Sequence, residues 1–189
     1  MDKNEALKLL SDTDSLAARL PEVLALADCL QLGPHHAEGD VLQHTKAVVE
    51  HLPDGAGSEL VWAAILHDIA KPLTRQEQTK NGEIVTRFFL HEVVGATLAK
   101  EISERMGLSA LSQEKIVWLV ANHMRVLALP AMGDKKAIEF VNHEYFSDLQ
   151  KLFQADLAAS QARDEEWEKK KALLARTINA KILEIKNRP

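Results

Sequence analysis

Apolar residues recur at helical spacing through almost the whole of this chain, and the polar residues that break into those stripes are histidines and aspartates. Asp40 precedes Val41, Leu42, Thr45, Val48, Val49 and Leu52, an apolar stripe with an N-cap residue in front of it. Ser58 opens a second helix through Leu60, Val61, Ala64 and Ile65, and Lys71-Pro72 is expected to end it, because the residue before proline avoids the helical region. Further helices are expected over 92–106, 112–122, 135–141, 145–161 and 164–186, with an earlier one from Pro21, a residue suited to a first helical turn. The exception runs from Thr74 to Phe89. There Gln76 to Lys80 is polar, Asn81-Gly82 signals a turn, and Ile84, Val85, Thr86, Phe88 and Phe89 suit a strand. The fold class is therefore all-α, a helical bundle with a loop or short hairpin inserted near 74–89, a segment that is a candidate lid.

Such a bundle needs a core, and 189 residues with 46% hydrophobic content supply one without extra staples. No repeat or Pro/Gly/Ser-rich linker divides the chain, so 1–189 is expected to be a single domain. The net charge of -5 argues against broad nucleic-acid binding, leaving at most a local basic pocket for RNA ends. Cys29 lies in the run Val23, Leu24, Leu26, Ala27 and Leu30 and reads as a core residue. One cysteine suits a reducing compartment, the first ten residues lack a secretory apolar core, and no stretch approaches the ~20 apolar residues of a membrane span. A cytoplasmic protein without a membrane partner is expected. The charge run from Arg163 to Lys171 reads as a solvated face, followed by a packing face at Leu173, Leu174, Ile178, Ile182, Leu183 and Ile185 that could also serve a homodimer.

The inward polar residues carry the chemistry. His44 shares the stripe of Val41 and Val48; Asp68 follows Ile65 and Ala64 by three and four residues; His91 precedes Val94 and Leu98; His123 follows Val120 and Leu119; Asp156 follows Phe153 and Leu152. A buried carboxylate is costly unless paired or bound to a metal. Two readings stand on spacing alone: hydrogen-bonded His–Asp pairs in a core, or a nitrogen and oxygen site for Fe, Mn, Ni, Mg or Zn.

The order His44, then His67-Asp68, then Asp156 resembles the HD superfamily of metal-dependent phosphohydrolases, all-helical proteins named for that doublet. The segments HHAEGDVLQHT (35–45), LHDIAKPLT (66–74), HEVVGA (91–96) and ADLAAS (155–160) are similar to the HD domain attached to bacterial tRNA nucleotidyltransferases, over roughly 33–163. The resemblance implies that His44, His67, Asp68 and Asp156 hold a first divalent ion. It implies that His91 and His123 hold a second, with Asp68 as the bridging carboxylate. No transferase domain is expected ahead of this segment, so the expectation is a stand-alone phosphohydrolase acting on a nucleotide or other small phosphorylated metabolite, as a monoesterase or diesterase. The ions would supply hydroxide for in-line attack at phosphorus.

Developing negative charge calls for cations, and Lys71, Arg125 and Arg75 are candidates because they follow metal ligands in sequence. Glu92 could orient His91 or move a proton, and His35, His36 and Glu38 match a family segment at the mouth of the site. His51 and His143 match no ligand and are expected to be structural. P-loop, Rossmann and serine-hydrolase motifs are missing. The alternative in another class is a non-catalytic, metal-containing module that senses a nucleotide or a protein partner.

Overall fold

The helix α5 (Ser58–Leu66) sets the arrangement, because its sequence leaves no face to give to solvent: Leu60, Val61, Trp62, Ala63, Ala64, Ile65 and Leu66 are all buried. A helix that is apolar all round has to be surrounded. In the computed structural model, which describes residues 1–32, 39–80, 82–160 and 165–188, α1 (Lys3–Leu10), α4 (Val41–His51), α7 (His91–Arg105), α8 (Ala110–Asn122) and α10 (Phe146–Ala159) pack against it. Each contributes one apolar stripe to a single core running from Ala6 to Ile185. Among the described residues no helix is long and apolar enough to cross a membrane.

The remaining elements close the ends of this bundle. The helices α2 (Thr13–Arg19) and α3 (Pro21–Leu24) lead into a 3-10 turn at Ala25–Asp28, where Cys29 is buried and free. Burial pushes the Cys29 thiol above its ordinary value, which suits a packing residue rather than a nucleophile. α9 (Asp134–Val141) and α11 (Glu165–Lys186) pack together, and α11 also covers the 3-10 segment Met124–Ala131. On α11 the buried residues are Ile178, Ile182 and Ile185, whereas Leu173 and Leu183 face solvent, so the expected packing stripe is narrower than its apolar content.

Two local outcomes differ from the sequence reading, and the expected hairpin is present. α1 and α2 were not expected, although Asp2 and Glu5 form a capping box, with Glu5 N–H donating to Asp2 Oδ1 at 2.9 Å and Asp2 N–H to Glu5 Oε2 at 2.8 Å. Lys71-Pro72 does not end α5, which stops at Leu66; it opens the one-turn helix α6 (Lys71–Thr74), where proline's missing N–H costs nothing. The insertion is a hairpin of β1 (Arg75–Lys80) and β2 (Glu83–Phe88), antiparallel with Arg75 opposite Phe88 and Gln78 opposite Val85. Its turn includes Gly82 at φ 84°, while Asn81 lies outside the described residues. β2 docks on the preceding connection through Thr86, whose N–H donates to Leu32 O at 2.9 Å and whose Oγ1 accepts from Leu32 N–H at 2.9 Å. That second pairing brings the residues just before 33 alongside the hairpin.

Gly95, inside α7, governs how closely α7 approaches the end of α5. A Cβ there would meet Val120 Cγ1 at 3.4 Å and the His67 carbonyl at 3.7 Å. An alanine fits that space and a longer chain does not. Gly95→Ala is expected to change unfolding free energy by less than about 1 kcal/mol, because helix propensity offsets the tight contact. Gly95→Leu is expected to cost about 1–3 kcal/mol by overpacking. Urea unfolding of both variants measures the difference.

Candidate metal centre

The polar residues expected to point inward meet at one place. His44 comes from the first turn of α4, His67 and Asp68 directly follow α5, His91 begins α7, His123 directly follows α8, and Asp156 lies on α10. The rings of His44 and His67 have centroids 5.5 Å apart, His67 and His123 5.4 Å, and His91 and His123 5.1 Å. Asp68 is the hub. Its Oδ2 lies 3.1 Å from His67 Nε2 and 3.7 Å from His44 Nε2, and its Oδ1 lies 3.3 Å from His91 Nε2 and 3.9 Å from His123 Nε2. Asp156 Oδ1 closes the first group, 3.0 Å from His44 Nε2. The ligand atoms of His44, His67 and Asp68, and those of Asp68, His91 and His123, form two sets, each within 4.8 Å.

One device orients three of the four rings. His67 Nδ1 contacts Ala64 O at 2.8 Å, His91 Nδ1 contacts Phe88 O at 2.8 Å, and His123 Nδ1 contacts Val120 O at 2.7 Å. A carbonyl only accepts, so each Nδ1 carries the hydrogen and each Nε2 presents a lone pair to the centre. For α5 and α8 the accepting carbonyls belong to the last turn, where helix geometry leaves carbonyls without intrahelical donors. The same ring therefore caps a helix and aims a ligand.

These donors fit a bound cation. His67 Nε2 is buried, lies 3.1 Å from Asp68 Oδ2 and makes no further hydrogen bond among the described residues. The Nε2 atoms of His91 and His123 stand 3.1 Å apart with both Nδ1 positions committed, so their lone pairs oppose each other unless a cation lies between them. Without a metal, a proton on His91 would fill that role. Burial lowers the affinity of His91 for a proton, yet its hydrogen bond to Asp68 and the charge of Asp68 raise its pKa above the ordinary value. For His123, burial and the neighbouring His67 and His91 act together and push the pKa down to about 3, which keeps that ring neutral.

The carboxylates stay ionised against burial. Burial raises Asp68, but the charges of His67 and Lys71 outweigh it and hold the group well below the usual carboxylate range. Burial likewise raises Asp156, and the hydrogen bond and charge of His44 overcome it. Lys71 is itself buried, with Nζ 2.7 Å from Asp68 Oδ2, 2.6 Å from Gln31 Oε1 and 5.1 Å from the centre of the Phe88 ring. Asp68 and Gln31 thus engage two of the three ammonium protons, and the Phe88 ring lies beside the charge.

The HD domain family matches residues 40–184. The chain belongs to that family. HD domains bind divalent metals, and the His/Asp cluster of this one lies within the matched region. The chain is 32% identical over 170 residues to the CC-adding tRNA nucleotidyltransferase of Thermus thermophilus, covering 86% of this chain and 37% of that protein. It is 35% identical over 162 residues to the A-adding tRNA nucleotidyltransferase of Deinococcus radiodurans, covering 82% and 34%. It is 32% identical over 137 residues to the multifunctional CCA protein of Xanthomonas oryzae, covering 71% and 32%. The HD chain thus spans about a third of the length of the curated relatives it matches.

Other expected residues are placed differently. Arg125 sits in the 3-10 segment after α8, stacked 4.5 Å from the Phe140 ring centre and 3.4 Å from Asn122 Oδ1. Arg75 begins β1 and pairs with Glu77 at 2.8 Å. Glu92 Oε2 is 3.7 Å from His91 Nδ1. His35, His36 and Glu38 lie outside the described residues. His51 Nδ1 donates to Ala47 O at 2.7 Å, and His143 stacks on Trp118 with centroids 4.0 Å apart, so both have structural contacts. Gln31 was not a sequence candidate, because it lies outside any helical stripe.

Metal ions require unprotonated nitrogen, so uptake at the His91–His123 pair would displace a proton held by His91. The affinity for Mn²⁺ is expected to fall as pH drops through the raised pKa of His91 and to level off above it. Calorimetry in buffers of different ionisation enthalpy should register proton release. A Mn²⁺ affinity that stays constant between pH 5 and pH 8 contradicts the assignment of His91.

Proposed function

We propose that the chain is a metal-dependent phosphohydrolase acting on a nucleotide or another small phosphorylated metabolite. The observation that carries this reading is the division of Asp68 between two histidine groups, with Oδ2 toward His44 and His67 and Oδ1 toward His91 and His123. That division suits two ions sharing one carboxylate. In this reading His44, His67, Asp68 and Asp156 hold the first ion, and His91 and His123 with Asp68 hold the second. When bound, such ions lower the pKa of water and neutralise phosphoryl oxygens.

The chain's own groups do the rest. Lys71 keeps Asp68 ionised and turned toward the histidines. The backbone carbonyls of Ala64, Phe88 and Val120 lock three rings in the ligating tautomer. Glu92 is placed to accept a proton beside His91. Phe89 and Leu90, which precede His91, are more than half exposed and offer an apolar surface for a base. Leu90 holds φ 59°, a left-handed conformation costly for a branched side chain, at the junction that delivers His91.

The test is phosphate release from nucleoside mono-, di- and triphosphates and from 2',3'-cyclic phosphates, with Mn²⁺, Fe²⁺, Ni²⁺, Mg²⁺ or Zn²⁺ added in turn. His67→Ala and Asp68→Asn are expected to lower kcat/KM by on the order of 10²–10³-fold, several kcal/mol of transition-state stabilisation, with circular dichroism unchanged. Bound metal with no hydrolysis of any of these compounds would instead favour the sensor reading.

A further inference from the structure

Gln31 is 2% exposed and lies between the 3-10 turn at Ala25–Asp28 and the residue that pairs with Thr86 of β2. Its amide is half used. Oε1 accepts from Lys71 Nζ at 2.6 Å, while Nε2 is buried and has no hydrogen-bond partner among the described residues. The amide cannot be turned over to relieve this, because Nε2 would then face an ammonium, donor against donor. A buried N–H without an acceptor costs about 1–3 kcal/mol, so a chain that keeps one at the edge of a reactive centre calls for an explanation.

Lys71 sharpens the point. Its Nζ is held between Asp68 and Gln31 with the Phe88 ring centre 5.1 Å away, which leaves it less free to reach a ligand directly. The Nε2 N–H of Gln31 beside it is a donor without a partner among the described residues. An oxygen of a phosphorylated ligand matches it, since such oxygens accept and carry charge.

We propose that Gln31 is a ligand-positioning residue of this centre: its amide oxygen anchors Lys71 on Asp68, and its unpartnered amide N–H donates to an oxygen of the phosphorylated ligand. The claim rests on the phosphohydrolase reading for the nature of the ligand. The anchoring half stands on the Gln31–Lys71–Asp68 chain of contacts alone. Gln31 touches neither metal-ligand set; it acts on Asp68 through Lys71.

Two substitutions separate the halves. Gln31→Met keeps the volume and removes both acceptor and donor. Gln31→Glu restores an acceptor for Lys71 but offers no N–H. Titration of each full-length protein with Mn²⁺ alone, and then of the Mn²⁺-loaded protein with inorganic phosphate, reads both functions without requiring turnover. Gln31→Met is expected to weaken Mn²⁺ binding roughly 10-fold or more, the effect of losing a group that orients a ligand. Gln31→Glu is expected to restore it to the wild-type level or better. Phosphate binding is expected to weaken roughly 10–100-fold in both variants, the worth of one hydrogen bond to a charged oxygen. In steady-state assays the loss should appear in KM more than in kcat.

A purely structural Gln31 would lower the unfolding midpoint and leave phosphate affinity unchanged in the folded, metal-loaded variants, which overturns the donor role while the hydrolase reading stands. Unchanged Mn²⁺ affinity in Gln31→Met overturns the anchoring role. Wild-type protein that takes up Mn²⁺ but neither binds phosphate nor hydrolyses any substrate overturns the hydrolase reading and the donor role together.

Discussion

An ionised carboxylate at the end of a helix buried on all sides from Leu60 to Leu66 is the constraint that the rest of this structure answers to. Asp68 follows α5 directly and is 2% exposed. Removing such a charge from water costs several kcal/mol even after relaxation, and only opposite charge and hydrogen bonds nearby can return it. Lys71 is the permanent counter-charge, one helical turn on, and the histidines around Asp68 form a second, adjustable source of positive charge. Charge compensation and metal affinity are thus the same arrangement seen under two conditions. A proton on His91 beside Asp68 would stand where a cation can stand.

The fold produces this geometry with repeated means. α5 is apolar on all sides, so α4, α7, α8 and α10 must close around it, and each brings one ligand candidate to its exit point. Helix ends are where polar backbone groups lack partners, and His67 and His123 exploit that by donating to Ala64 O and Val120 O. The rings are held by atoms that had to be satisfied anyway. His91 uses the carbonyl of Phe88 in the same way at the end of β2, which ties the hairpin to the centre. Gly95 lets α7 come near enough for that ring to reach Asp68.

Much of this was legible in the chain, for a physical reason. His44, Asp68, His91, His123 and Asp156 stand at three- and four-residue offsets from apolar neighbours, and that offset alone places a side chain on the buried face of a helix. Their meeting point depends on packing between distant helices, which periodicity does not encode; the order of the residues and their flanks supplied it through family resemblance. Lys71-Pro72 misled because proline both ends and begins helices, and only the buried run through Leu66 shows which. Arg125 followed a ligand in sequence, yet the 3-10 segment turns it onto Phe140. Gln31 gave no signal, since its contact with Lys71 spans 40 residues and belongs to no stripe.

Charge balance then explains why this centre would accept an anion only after it has accepted cations. Asp68 and Asp156 are both held in the ionised form, and Lys71 alone offsets them permanently, with His123 kept neutral by burial and its neighbours. Without a proton on His91 or a bound cation, the two carboxylates leave an excess of negative charge, in a medium where like charges repel far more strongly than in water. A phosphate would be turned away from that centre. Divalent ions reverse the sign of the field, and the oriented lone pairs of His67, His91 and His123 give those ions ready ligands at little further reorganisation. On the phosphohydrolase reading, metal loading would in this way set what class of ligand the site can admit.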